Sequence, residues 1–133
     1  MTRKIYKKAL ILGGSKGIGK SIANELKKSC KNVIPFSSKN IDTSNIQSVN
    51  EFINKYKSTD ILILNTGGPK PLAFNELNEE IWNKYFNQLF LSFCLILKGI
   101  KINNNGYIFY ISSAIIKEPK ESLIPSSSLR IAF

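Results

Sequence analysis

Four glycines stand close together near the start of the chain, at Gly13, Gly14, Gly17 and Gly19. An apolar run, 9–12, precedes them, and the residues that follow, 20–26, are compatible with a helix. Glycine lets a backbone turn sharply and approach a ligand closely, and the free N–H groups at the start of a helix attract anions. Strand, glycine turn and helix in this order therefore predict a turn that binds the pyrophosphate of a nucleotide.

The same turn also fits a second nucleotide-binding pattern, G-x-x-x-x-G-K-[ST], between Gly14 and Ser21. A P-loop NTPase also needs a strand that ends in aspartate to hold Mg²⁺. The strands predicted in this sequence end in Gly13, Phe36, Leu64 and Ile111. A P-loop NTPase is therefore kept only as a distant alternative, which tight binding of ATP–Mg²⁺ without a nicotinamide nucleotide would favour.

Scarce residue types exclude several other chemistries. The chain has no histidine, which removes imidazole metal sites and every catalytic pair of serine or cysteine with histidine. Asp42 and Asp60 are the only aspartates, so we expect no metal site. Cys30 and Cys94 belong to no CxxC pair and are predicted to be packing residues. No secretory leader precedes the first predicted strand, so a cytoplasmic location is expected.

The formal net charge of +10 raises the question of a nucleic-acid partner, because Arg3, Lys4, Lys7 and Lys8 cluster near the start. Lysine, asparagine and isoleucine, however, account for 51 of the 133 residues (17, 14 and 20). A general compositional bias therefore explains the charge better, and neither a nucleic-acid nor a membrane partner is expected. The nine residues between Gln88 and Lys98 are apolar or small but too few for a membrane span, which needs about 20.

Hydrophobic periodicity predicts alternating strands and helices. The predicted strands are 7–13, 32–36, 60–64 and 107–111, with a turn at 103–106 before the last one. The predicted helices are 18–29, 44–56 with Ser44 as its N-cap, 78–100, and a short one that starts near Ser126. This alternation predicts a single α/β domain, 1–133, with a Rossmann-like doubly wound parallel sheet of about five strands in the order 3-2-1-4-5. Ligands of such sheets bind at the carboxyl ends of the strands.

These residues resemble the short-chain dehydrogenases/reductases, whose signature G-x-x-x-G-x-G matches Gly13, Gly17 and Gly19. The run 65–69, Asn-Thr-Gly-Gly-Pro, stands where that family has Asn-Ala-Gly and resembles an atypical branch of it. The resemblance covers only the N-terminal portion of the family, so we expect a chain truncated at its C-terminus. It implies binding of a nicotinamide dinucleotide and redox chemistry on a small carbonyl or alcohol substrate.

The loop after the second predicted strand bears on the choice of cofactor. A carboxylate there would favour NAD(H), whereas this chain has Ser37, Ser38 and Lys39, with Lys16 in the glycine turn. We therefore expect NADP(H) to be preferred over NAD(H). Together with the positions that the resemblance implies, the expected cofactor-binding residues are Gly13, Ser15, Lys16, Gly17, Ile18, Gly19, Ser37, Ser38, Lys39, Asp42, Asn65, Thr66 and Gly67.

The resemblance also implies a catalytic serine, Ser113, after the last predicted strand. The family's other catalytic residues are replaced: Ser126 stands where tyrosine is expected, Arg130 where lysine is expected, and Leu89 where asparagine is expected. The pKa of a phenol near 10 can be drawn toward neutrality by a neighbouring cation, but that of a serine hydroxyl cannot. Little or no turnover is expected, and the alternative is a non-catalytic remnant or nucleotide-binding module.

Two further expectations concern aromatic residues. Tyr107 and Tyr110, on the last predicted strand, are predicted to pack in or on the sheet and not to replace the missing acid. The short C-terminal segment is expected to leave part of the helix 78–100 uncovered, at Phe86, Phe90, Phe93 and Leu97. Such an apolar face predicts a homo-oligomer formed through that helix.

Overall fold

The computed structural model describes residues 6–133, apart from the side chain of Asn104. Arg3 and Lys4 of the basic N-terminal cluster lie outside the described residues. The strands are β1 (Tyr6–Ile11), β2 (Cys30–Pro35), β3 (Ser58–Leu64) and β4 (Lys101–Tyr110). The helices are α1 (Gly17–Leu26), α2 (Ile46–Lys55), α3 (Glu79–Phe86), α4 (Ser92–Gly99) and α5 (Ile124–Ala132). Strands and helices thus alternate from β1 to β4, as predicted.

The strands form one parallel sheet in the order β2-β1-β3-β4. This confirms the predicted fold class. The strands β3 and β4 correspond to the fourth and fifth strands of the predicted order 3-2-1-4-5, so the observed order is the predicted one without its outermost strand, strand 3. Within residues 6–133, the sheet therefore has four strands where about five were expected. The segment 37–45, which follows β2 and leads into α2, forms turns and a loop. Its polar side chains bond locally, as when Asn40 Oδ1 accepts the backbone N–H of Ser37 over 2.9 Å.

Both faces of the two central strands, β1 and β3, are largely buried, whereas Tyr107, Ile108 and Phe109 of the edge strand β4 are about half exposed. On one face Leu10 and Leu62 pack against Phe52 of α2 and Phe93 of α4. On the other face Ile11 of β1 belongs to a second cluster with residues of α1 and β3. A fully buried leucine, isoleucine or phenylalanine contributes about 1.5–3 kcal/mol to folding. These clusters explain why the strands read as continuous apolar runs and not as alternating ones.

The long helix predicted over 78–100 is present as α3, a π-helical turn (Asn87–Leu91) and α4. Only part of the apolar face that was expected to be uncovered is exposed. Phe93 is fully buried, whereas Phe86 and Leu97 remain exposed. The reason is Phe133, which follows α5 and packs edge-on against Phe93, with 5.4 Å between ring centroids. The short C-terminal helix therefore covers part of the surface on which the predicted homo-oligomer was based.

The last strand begins earlier than predicted. Positions 103–106, expected to form a turn before it, lie inside β4 as a bulge. Thr59 pairs with Ile102 and Ile61 pairs with Tyr107, so β4 inserts extra residues between these two pairs. Asn105 takes up the bend with a φ of 59°. The asparagine and glycine residues that indicated a turn thus form an irregularity within a strand.

Asp60 holds this bulge to the rest of the sheet. Its carboxylate accepts the backbone N–H groups of Lys7 and Lys8 and the side-chain amide of Asn103. These donors, the Asn103 amide above all, lower the pKa of the Asp60 carboxyl, although burial acts in the opposite direction. The carboxylate thus links β1, β3 and β4 at the edge of the sheet where β3 begins.

Helix caps differ from the prediction at one position. Ser44 was expected to cap α2, but the N-cap is Asn45, whose Oδ1 accepts the backbone N–H groups of Gln47 and Ser48 at 2.9 and 3.2 Å. Ser44 instead donates its hydroxyl to Asp42 Oδ1 over 2.7 Å. Both serine and asparagine are good capping residues, so the sequence pattern does not decide between adjacent positions. No helix within residues 6–133 is long and apolar enough to cross a membrane.

Candidate functional site

A cleft of about 370 Å³ lies at the carboxyl edge of the sheet, between the segments that follow β1, β2 and β3 and one side of the helix α3. Most of the expected cofactor-binding residues line it. They are Gly13, Ser15, Lys16, Ser37, Ser38, Asp42, Asn65, Thr66 and Gly67. The cleft thus brings together residues from three separate loops of the sequence.

The first wall of the cleft is the glycine turn. Gly13 has a φ of 61°, a conformation that side chains other than glycine rarely adopt. A β carbon at Gly13 would lie 2.6 Å from Asn65 Nδ2, which donates to the Gly13 carbonyl over 3.3 Å. A β carbon at Gly19 would collide with the same carbonyl. Close approach between the turn, α1 and the end of β3 therefore requires glycine at both positions.

The helix α1 begins at this turn with unused donors. Among the described residues, no side chain caps the helix at Lys16. Gly17 has a φ of 54° and open space around it, and Ile18 is 65% exposed. Gly17, Ile18 and Gly19 do not line the cleft themselves but form the first turn of α1 beside it. Their backbone N–H groups lie at the positive end of the helix and are available to an anion.

The second wall follows β2. Ser37 Oγ donates to Asn40 Oδ1 over 2.9 Å and accepts the backbone N–H of Lys39 over 3.2 Å, so this hydroxyl is engaged within its own loop. Ser38 is exposed and lines the cleft. Lys39 is exposed and does not line it. Of the three residues expected to meet a 2′-phosphate, Ser38 is therefore the one that faces the cleft with its side chain least engaged.

Asp42 lies in the same cleft as the serines because the segment 37–45 is short and carries no strand. Its Oδ1 accepts the backbone N–H and the hydroxyl of Ser44, at 2.9 and 2.7 Å. Among the lining residues, Asp42 is the only carboxylate, whereas Lys16 and Lys84 are both cations. Two positive charges and one negative charge leave the lining with a net charge of +1, which favours an anionic ligand.

The third wall contains residues that the sequence analysis did not identify, Lys84 and Gln88. Gln88 Nε2 donates to the Gly67 carbonyl over 2.8 Å and approaches Thr66 Oγ1 at 3.4 Å. The hydroxyls of Thr66 and Thr43 are 3.2 Å apart. The sequence signal that could have identified them is that Lys84 and Gln88 are polar residues four positions apart, and therefore on one face, of a long amphipathic helix. The π-helical turn that carries Gln88 has no comparable signature in the sequence.

Neither Ser113, the expected catalytic residue, nor the replaced catalytic positions line the cleft. Ser113 is exposed, caps a short 3₁₀ turn (Ala114–Ile116) through its hydroxyl, and does not line the cleft. Ser126 and Arg130 are buried, and Arg130 Nε donates to Ser126 Oγ over 3.2 Å. Leu89 is fully buried in the core. The replaced positions thus form packing contacts and a serine–arginine pair.

The tyrosines of β4 and the cysteines have other surroundings. Tyr110 is half-buried and packs on Phe133, with 4.8 Å between ring centroids. Tyr107 is 50% exposed and meets Tyr6 edge-on. Burial raises the pKa of the Cys30 thiol, which suits a packing residue more than a reactive one. Within residues 6–133, no group of three histidine, cysteine, aspartate or glutamate side chains could hold a metal ion.

No protein-family model matches the sequence, and no curated protein matches it. Solved structures do match the fold. A short-chain dehydrogenase from Burkholderia cenocepacia J2315 in complex with NADP has a TM-score of 0.82 and 17% identity, over 98% of this chain and 65% of that one. A short-chain dehydrogenase family protein from Francisella tularensis subsp. tularensis SCHU S4 has a TM-score of 0.79 and 22% identity, over 95% and 59%.

The L-sorbose reductase from Gluconobacter frateurii, complexed with NADPH and L-sorbose, has a TM-score of 0.77 and 20% identity, over 99% of this chain and 62% of that one. The chain thus spans less than two thirds of the length of each of these three structures. At identities of this size the likeness concerns the fold. The chain has the fold of the short-chain dehydrogenases/reductases.

Proposed function

We propose that the chain binds NADP(H) in the cleft at the carboxyl edge of the sheet, as an oxidoreductase domain of the short-chain dehydrogenase/reductase type. One observation carries the proposal: the cleft joins the glycine turn, the loop after β2 and the Asn65-Thr66-Gly67 segment. These are the segments expected to meet the pyrophosphate, the adenosine end and the nicotinamide riboside of one extended dinucleotide. Solved structures of the same fold that contain NADPH or NADP support the proposal.

The glycine turn fits a pyrophosphate. An anion placed beside Gly17 would meet no side chain, because a β carbon there has nothing within 4 Å. The uncapped start of α1 would supply backbone N–H donors, and the side chain of Lys16 a positive charge. Hydrogen bonds from charged or oriented donors to phosphate are among the stronger ones in proteins.

A preference for NADP(H) would rest on the loop after β2. Ser38 lines the cleft there, Lys16 supplies a cation, and the loop itself contains no carboxylate before Asp42. The Asp42 carboxylate already accepts two hydrogen bonds from Ser44. The family resemblance implies that it would lie near the adenine and not at the 2′-phosphate. A 2′-phosphate would therefore meet hydroxyl donors and a cation without direct repulsion.

The reaction class proposed is oxidation of an alcohol or reduction of a carbonyl in a small molecule, for which the nicotinamide, when bound, exchanges a hydride. Ser113 would orient the reacting carbonyl. Turnover is expected to be low, because Ser126 offers an aliphatic hydroxyl where the family has a phenol, and this hydroxyl is buried beside Arg130. These same contacts favour the second candidate, a nucleotide-binding module without catalysis. Cytoplasmic location and homo-oligomer formation remain predictions from the sequence.

Calorimetric titration with NADPH, NADH and ATP–Mg²⁺ tests the proposal. We expect NADPH to bind more tightly than NADH and ATP–Mg²⁺ to bind weakly. Lys16→Ala should weaken NADPH binding about tenfold or more, since a hydrogen bond to a charged group contributes about 1.5–3 kcal/mol. Lys20→Ala, at an exposed lysine of α1 that does not line the cleft, is the matched control. Tight ATP–Mg²⁺ binding without NADPH binding would reverse the assignment in favour of a P-loop NTPase.

Catalysis is tested separately, by following NADPH oxidation with a panel of ketones. Measurable turnover that is lost in Ser113→Ala would support the oxidoreductase. NADPH binding without turnover for any ketone would instead support the non-catalytic module.

A further inference from the structure

Arg130 is a buried cation at the same edge of the sheet as the cleft. Arg130 is only 7% exposed, and its guanidinium reaches from α5 to the end of β4. There Nη1 donates to the Ile111 carbonyl over 3.4 Å, while Nε donates to Ser126 Oγ. Both acceptors are neutral.

No carboxylate neutralises this charge in the part of the chain that the structure describes. The single ion pair within residues 6–133 joins Lys28 to Glu25 on the surface. Burying a charge without a counter-charge costs several kcal/mol, so an unpaired buried arginine calls for an anionic partner. Arg130 is also the only buried cation among the described residues.

The third guanidinium nitrogen, Nη2, is free to receive that partner. Within residues 6–133 it has no hydrogen-bond acceptor. Tyr110 Oη is the only fully enclosed side-chain polar atom of the described residues that lacks a partner, so Nη2 must be in contact with solvent. A buried arginine thus presents one free edge to the outside.

Gly68 leaves the approach to this edge open. A β carbon at Gly68 would have one heavy atom within 4 Å, and that atom is Arg130 Nη2 at 3.8 Å. Gly68 is exposed and follows Gly67, which lines the cleft. The free edge of the guanidinium therefore lies one residue beyond the cleft, along a segment that carries no side chains.

We propose that Arg130 binds the carboxylate of the substrate, so that the substrate is a small carbonyl compound that also carries a carboxylate. This inference rests on the proposed function for the position of the reacting carbonyl. The planar fork of arginine matches a carboxylate. A single buried cation suits a singly charged carboxylate better than a doubly charged phosphate, which would need further donors.

The test is an NMR titration of the protein without cofactor, using acetoacetate as the probe and its uncharged methyl ester as the matched ligand. Acetoacetate should shift the amide signals of Gly67 and Gly68 and the Nε–H signal of Arg130, and the ester should not at the same concentration. Gly68→Val, which covers Nη2 at an exposed position of ordinary φ, should weaken acetoacetate binding about tenfold. Lys70→Ala, which removes an exposed cation two residues further on, should leave the affinity unchanged.

Arg130→Gln should abolish acetoacetate binding, with its folding verified by circular dichroism. If Arg130→Gln does not fold, the acetoacetate affinity of Gly68→Val is the deciding measurement. Equal shifts with the ester, or wild-type affinity in Gly68→Val, would overturn the proposal and leave Arg130 as an anchor of α5. A separate NADPH titration distinguishes the two claims. NADPH binding without acetoacetate binding would contradict only the carboxylate site. Acetoacetate binding without NADPH binding would contradict only the proposed cofactor.

Discussion

Asn65 and Gly13 are joined across the base of the cleft: the side-chain amide of Asn65 donates to the Gly13 carbonyl over 3.3 Å. The contact ties the end of β3 to the turn after β1. It leaves no room for a side chain at Gly13, where a β carbon would lie 2.6 Å from the same amide nitrogen. Asn65, expected from the sequence to meet the cofactor, thus also fixes the shape of the glycine turn.

Gly13→Ala should therefore destabilise the protein and weaken NADPH binding. The clash with Asn65 and the φ of 61° together should lower the free energy of unfolding by about 1–3 kcal/mol, as measured by urea denaturation. Gly67→Ala is the control for stability, because a β carbon there meets nothing within 4 Å. Its free energy of unfolding should stay within about 0.5 kcal/mol of wild type. Equal stability of the two variants would contradict this description of the turn.

The sequence predicted the fold well because its signals are strong and local. Buried parallel strands read as uninterrupted apolar runs, and the glycine spacing marked the turn after β1. What it missed depends on contacts between distant residues. Asp60 meets Asn103 only once β3 and β4 pair, and the cover that Phe133 gives to Phe93 depends on the docking of α5.

Prediction of the site was limited in the same way. The residues of the glycine turn could be named from spacing alone. Lys84 and Gln88 enter the cleft because of how α3 packs, which no local pattern encodes. Asp42, by contrast, was named from the family resemblance, and it lines the same cleft as Ser37 and Ser38.

Asp60 should make the stability depend on pH. Since the pKa of its carboxyl is lower in the folded protein than the value of about 4 in the unfolded chain, the ionised group stabilises the fold above that pH. This contribution is lost as the pH falls through the folded-state pKa. Asp60→Asn should lower the free energy of unfolding at pH 7 by about 1.5–3 kcal/mol, the range for hydrogen bonds to charged groups.

Urea denaturation at pH values from 7 to about 3 measures this effect, because the range spans the titration of carboxyl groups. The difference between wild type and Asp60→Asn should narrow as the pH falls. Glu51→Gln, at an exposed glutamate of α2, is the control for removing a negative charge. A difference between wild type and Asp60→Asn that stays constant with pH would show that the ionised carboxylate does not hold the bulge of β4.

Phe133 should contribute to stability although it is the final residue of the sequence. Its ring packs on Tyr110, Phe93 and Phe90, with centroid distances of 4.8, 5.4 and 6.3 Å. Phe133→Ala should lower the free energy of unfolding by about 2–3 kcal/mol, somewhat less than for a fully buried ring. Ile131→Ala, at a neighbouring residue that is 58% exposed, should change it by no more than about 0.5 kcal/mol. Similar losses in both variants would argue against this aromatic cluster.

A carboxylate introduced at Ser38 should reverse the preference between the two dinucleotides. Ser38→Asp would repel a 2′-phosphate and accept the 2′-hydroxyl of NADH, so NADPH affinity should fall about tenfold while NADH affinity is kept or improved. Asn40→Asp adds the same charge in the same loop, at a residue that does not line the cleft. Titration of both variants with both dinucleotides gives the result. A parallel loss for NADPH and NADH in Ser38→Asp would place the 2′-phosphate elsewhere.

The most direct measurement of the central claim is a two-dimensional amide NMR titration with NADPH, which reports where the dinucleotide binds. We predict saturable shifts that are largest at Gly13, Ser15, Gly17, Ile18 and Gly19, around the start of α1. Ser38 and Gly67 should respond as well, and residues of β4 such as Tyr107 should not. Absence of shifts at millimolar NADPH, or shifts confined to residues away from the glycine turn, would contradict dinucleotide binding in this cleft.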